Sequence, residues 1–106
     1  MIVAHLKPPY YAVIFTTIIE DNSKEYKKTA ERMEHLAKAQ DGFLGVESAR
    51  SDIGITVSYW KSLEAIQHWK HHVEHSEARA LGKEKWYKQY QLRICKVERE
   101  YGFNKK

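Results

Sequence analysis

The segment Ile55-Thr56-Val57-Ser58-Tyr59-Trp60-Lys61-Ser62-Leu63-Glu64-Ala65-Ile66-Gln67-His68-Trp69 changes its periodicity halfway along. Its first six residues are rich in β-branched and aromatic side chains, the composition of a strand. At Ser62 the pattern restarts as a helix. The Ser62 hydroxyl is placed to cap the free N–H groups of the first turn, and Glu64 sets negative charge at the positive end of the helix dipole. A strand that feeds a capped helix so abruptly puts Trp60 near one end of a cavity and Trp69 two helical turns farther along. Four of the six histidines, His68, His71, His72 and His75, follow closely. A functional site is expected here.

Upstream, residues 1–9 read as an arm ending in Pro8-Pro9, which cannot join a central ladder. Tyr10 to Ile19 is the first strand. Its two alternating sets, Ala12-Ile14-Thr16-Ile18 and Tyr11-Val13-Phe15-Ile19, are both largely apolar, so both faces of the sheet need a partner. Asn22 and Glu25 stand at capping-box spacing before a helix that runs to about Gln40, with Tyr26, Ala30, Met33 and Ala37 on one stripe. Gly42 suits a left-handed cap. Phe43 to Arg50 is the second strand, and Ser51-Asp52-Ile53-Gly54 turns into the third.

Downstream of Trp69, a break near Glu74-His75-Ser76 precedes a second helical piece from Glu77 to about Lys83. Trp86-Tyr87 approaches a last strand, about Tyr90 to Glu100, and residues 102–106 form a tail. Strand, helix, strand, strand, helix, strand is the split βαβ, ferredoxin-like order of an α+β fold, with two helices on one face of a four-stranded antiparallel sheet. A second copy laid sheet to sheet is the simplest cover for the other face. One domain, residues 10–101, accounts for the chain, which has no internal repeat.

Composition narrows the partners. The net charge of +4 is spread through mixed runs such as Lys27-Lys28 between Glu25 and Glu31, a solvated surface rather than a phosphate track, so no nucleic-acid partner is expected. RNA-recognition modules share the topology, but Ile55 to Trp60 lacks their basic-glycine-aromatic signature. No apolar run is long enough to span a bilayer or resembles a signal peptide. Cys95, the single cysteine, rules out an intrachain disulfide, reads as strand packing and fits a reducing, cytoplasmic setting.

Trp60-Lys61-Ser62-x-x-Ala65-x-x-x-Trp69, with Gln40-Asp41-Gly42-Phe43-Leu44-Gly45 and Trp86-Tyr87, resembles the antibiotic biosynthesis monooxygenase domain proteins of the dimeric α+β barrel superfamily. The resemblance covers nearly everything from Tyr10 to Tyr101. It implies a homodimer whose two sheets form a barrel, with one cavity per subunit between helices and sheet. It also implies oxidation of a small aromatic or polyketide-like molecule by dioxygen without a bound cofactor. Related haem-degrading enzymes use an asparagine on the first strand, and a tryptophan and a ligating histidine on the second helix. Trp69 matches the tryptophan, but the first strand has no asparagine and the histidine position is Arg79, so haem is the third choice.

Cofactor-independent oxygenation needs a base and water-excluding walls. His68, His72, His75 and Arg79 recur at four, three and four residues and share one stripe beside Ile66, Trp69 and Val73. His72 and His75 are the candidate bases, and Arg79 the candidate anion partner. The same stripe also describes the wet shoulder of an amphipathic helix. Trp60, Trp69, Trp86, Tyr87 and Tyr90 are the candidates to stack on a flat substrate, or equally to fill a core or interface. No native metal site is expected, since the His-x-x-x-His pairs lack a completing ligand set. A non-catalytic barrel that binds a small hydrophobic ligand remains the alternative reading.

Overall fold

The computed structural model describes residues 2–20, 24–72 and 86–105. Its elements are β1 (Tyr10–Ile19), α1 (Lys24–Lys38), β2 (Phe43–Arg50), β3 (Gly54–Trp60), α2 (Leu63–Lys70) and β4 (Tyr87–Val97). The sheet runs β2-β3-β1-β4, every neighbouring pair antiparallel. This is the expected ferredoxin-like α+β arrangement. The expected Asn22 cap, the break at Glu74–Ser76 and the helical piece from Glu77 lie outside the described residues.

Local chemistry sets the element ends. Helix α1 stops at Lys38, short of Gln40, because the last turn tightens: the Ala39 and Gln40 amides donate to the Leu36 and Ala37 carbonyls at 3.2 and 3.0 Å. Gly42 follows with φ +86°, the left-handed conformation anticipated for it. A Cβ there would sit 2.7 Å from the Ala65 Cβ, so the glycine also lets α2 approach the loop.

Strand β4 starts and ends three residues earlier than its sequence suggests. At the start, Tyr87 pairs with Ile19 across a bulge, and the Trp86 carbonyl accepts the Glu20 N–H at 2.8 Å. At the end, Val97 pairs with Tyr10, beyond which Pro9 has no N–H to extend the ladder.

The register sorts the two faces. Tyr11, Val13, Phe15 and Thr17 share one face with Trp60, Ser58, Thr56 and Gly54. Trp60 is wholly buried there with Ala37 of α1 and Ile66 of α2, and Tyr11, Val13, Phe43, Ala65 and Trp69 pack around them. The opposite face carries Tyr10, Ala12, Ile14, Tyr59, Val57 and Ile55.

Both ends of the chain reach over part of this second face. Val3 packs on Gly45, and its N–H donates to Glu47 Oε2 at 2.9 Å. The Tyr10 hydroxyl donates to Glu100 Oε1 at 2.6 Å, and the Tyr10 and Tyr59 rings meet edge to face at 5.8 Å. Cys95 pairs with Ala12 on this face and is exposed, not buried as its strand position suggests, because β4 is an edge strand.

Candidate functional site

Helix α2 starts as its sequence dictates: Ser62 Oγ accepts the Ala65 N–H at 3.0 Å. Eight residues later it ends, and the His72 N–H donates to the Trp69 carbonyl at 3.1 Å. This short helix lays the Trp69 ring nearly parallel to Trp60, centroids 6.2 Å apart and planes at 26°. Phe43 meets the Trp60 ring edge-on at 5.4 Å, and Trp60 Nε1 donates to Ser58 Oγ at 2.9 Å. The last ring in the series is His72, 5.7 Å from Trp69.

The His72 Nδ1 is buried and has no hydrogen-bond partner among the described residues. Buried polar atoms are nearly always paired, since leaving one unmade costs about 1–3 kcal/mol. The His72 imidazole nitrogen thus stands unpaired against the Trp69 ring. His68 and His71 differ from it: both are exposed, and the His71 ring lies 2.9 Å from the Gln67 side-chain nitrogen.

A second group of rings gathers where β4 begins. Tyr26 of α1 meets Trp86 at 5.4 Å and Tyr87 at 6.0 Å, and Phe15 meets Tyr87 at 5.6 Å and Tyr90 at 5.5 Å. Trp86 is buried. Burial first, and then the Tyr26 hydroxyl, hold the Tyr87 phenol proton well above its ordinary range, while the positive charge of Arg50 acts in the opposite sense.

The candidates thus fall into two groups. Trp60, Trp69 and His72 lie by the Tyr11 end of β1. Trp86, Tyr87 and Tyr90 lie by its Thr17 end, six residues or about 20 Å along the strand. His75 and Arg79 lie outside the described residues.

Sequence reading missed Arg50 and Tyr26. Arg50 donates to the Thr17 hydroxyl and folds over Gly54, its partner across the hairpin. The available signal was a long basic side chain facing a glycine across a tight turn. A groove of about 370 Å³ opens beside it, lined by Tyr26, Lys27, Glu31, Arg50, Ile55 and Thr56 among others. Another, of about 430 Å³, lies at the start of α2 between Asp41, Lys61, Glu64 and His68. His72 lines neither.

Among the described residues, no group of three His, Cys, Asp or Glu side chains is arranged to hold a metal ion. No helix among them is long and apolar enough to cross a membrane.

Comparison with known proteins follows the fold. A Bacillus subtilis (strain 168) protein, YqjZ, described as uncharacterized, is 53% identical over 96 residues, covering 89% of this chain and 84% of its own. Two solved structures share the architecture at low identity. SnoaB, a cofactor-independent oxygenase from Streptomyces nogalater, superposes with a TM-score of 0.75 at 8% identity, over 88% of this chain and 97% of its own. Rv0793 from Mycobacterium tuberculosis gives 0.76 at 14% identity, over 88% and 99%. The profile of the antibiotic biosynthesis monooxygenase family matches residues 9–81, and the chain belongs to that family.

Proposed function

We propose that the protein is a cofactor-independent monooxygenase that oxidises a small aromatic or polyketide-like phenol with dioxygen, with His72 as its base. The observation that carries this reading is the orphaned, buried His72 Nδ1 beside the Trp69 ring. Family membership and the fold shared with a cofactor-independent oxygenase support it.

In this scheme His72 takes the phenolic proton, leaving an electron-rich phenolate. The phenolate passes one electron to dioxygen, and the radical pair combines into a carbon-bound peroxide. Loss of water from the peroxide leaves a quinone. A phenol with a free ring position and one dioxygen thus become one quinone and one water, with no external reductant. Trp69 would lie against the flat ring, and the aromatic wall would keep bulk water from the intermediate. His75 and Arg79 are the further base and anion partner proposed on the stripe.

The proposal includes a homodimer in the cytoplasm. The sheet face bearing Ile14, Val57 and Ile55 is only half-covered, Ile55 being 45% exposed, and a second copy would shelter it.

The test is oxygen uptake with a panel of phenols and hydroquinones, in metal-chelated buffer, for the native chain and for His72→Asn. Substrate-dependent uptake with a quinone product is expected, with His72→Asn slower by about 10²–10⁴-fold. Equal rates in the two proteins would remove His72 as the base. Absence of turnover across the panel, with binding intact, would favour a ligand-binding protein of the same fold.

A further inference from the structure

Arg50 plays no part in the chemistry proposed for His72, yet its surroundings are built around it. Gly54 is buried, and the Arg50 guanidinium lies directly over it, where a Cβ would stand. Thr17, only 3% exposed, accepts one of its N–H groups. A guanidinium offers five donors in a planar fork. Among the described residues no carboxylate pairs with it.

We propose that the groove beside Arg50 binds a small, single-ring aromatic carboxylate, at a site distinct from the one around His72. The planar fork matches two carboxylate oxygens, a geometry that a lysine does not reproduce. Lys27 adds positive charge to the wall, whereas Glu31 disfavours a doubly charged ligand such as phosphate. The Tyr26 ring supplies the flat apolar contact, and about 370 Å³ suits a one-ring molecule.

The experiment is an NMR titration of the ¹⁵N-labelled full chain with benzoate, with benzyl alcohol as the uncharged analogue and inorganic phosphate as the dianion. Benzoate is expected to give saturable shifts at the Arg50 side chain, Thr17 and Gly54. Benzyl alcohol and phosphate are expected to bind about ten-fold more weakly or worse. Arg50→Gln should lose about ten-fold or more in benzoate affinity. Arg50→Lys, which retains the charge and stem, should lose several-fold, and decides the matter if the Gln variant fails to fold. The shifts at Thr17 and Gly54 should persist in His72→Asn, which separates this site from the proposed oxygenase chemistry. Unchanged affinity in folded Arg50→Lys, equal binding of benzyl alcohol, shifts centred on Trp69 and His72, or no saturable shift would each overturn the proposal.

Discussion

The Tyr59 hydroxyl donates to Glu47 Oε1 at 2.5 Å, joining neighbouring strands on the face that Val3 reaches over. This hydrogen bond first, and then the one from the Val3 backbone, hold the Glu47 carboxyl below its ordinary value of 4.5. A lowered folded-state pKa means stability that is complete above the ordinary value and is lost as pH falls through the lowered one. The thermal stability of the native chain should therefore fall in mild acid more steeply than that of Glu47→Gln. Parallel acid profiles for the two would show that the carboxylate is not linked to folding.

Tyrosines supply the alkaline counterpart. Tyr10 is pushed up to about 12, by burial first and then by the Glu100 carboxylate beside its hydroxyl. Tyr59 and Tyr87 are held higher still, again by burial first. A raised folded-state pKa gives stability that is present below the ordinary value of 10.0 and disappears as pH rises through the raised one. In an ultraviolet titration these three of the seven tyrosines should ionise late and together with alkaline unfolding. Tyr10→Phe should remove one late phenolate from that count.

Gly42 answers to two constraints at once. Replacement by alanine should cost about 1–2 kcal/mol for the left-handed backbone alone, with the clash against Ala65 added to it. Denaturant unfolding of Gly42→Ala, Ala65→Gly and the double variant separates the two. The Ala65→Gly penalty should be smaller in the Gly42→Ala background, since it relieves the clash there. Strict additivity would mean that α2 yields without cost.

Trp60 has the highest stake in the core. It has no exposed surface and contacts rings on two sides, so Trp60→Ala should cost about 3–5 kcal/mol in chemical unfolding. Because Trp69 leans on it, the near-ultraviolet circular dichroism contributed by Trp69 should collapse in a Trp60→Phe variant that remains folded. Retention of that signal would separate the two rings.

What the sequence made legible was local. The Ser62 cap, the Gly42 turn and the two-sided apolar pattern of β1 all depend on residues within a few positions of one another. The start of β4 depended on pairing with Ile18 and Ile19 across a bulge, and Lys88 and Gln89 concealed it, because polar residues do not announce a strand. The site was harder for the same reason. Helical spacing placed His72 near Trp69, but only the fold shows that its Nδ1 is orphaned while His68 and His71 face solvent. Arg50 stayed hidden because its seat is assembled from Thr17 and Gly54, one of them 33 residues away.

The anchoring of Val3 to Glu47 and of Tyr10 to Glu100 has a practical side. Val3 and Glu100 are both held on the same side of the sheet, so a label joined to the chain outside either residue starts beside the surface where a second copy is proposed to dock. Moving a bulky label from one terminus to the other does not clear that surface; lengthening the spacer does.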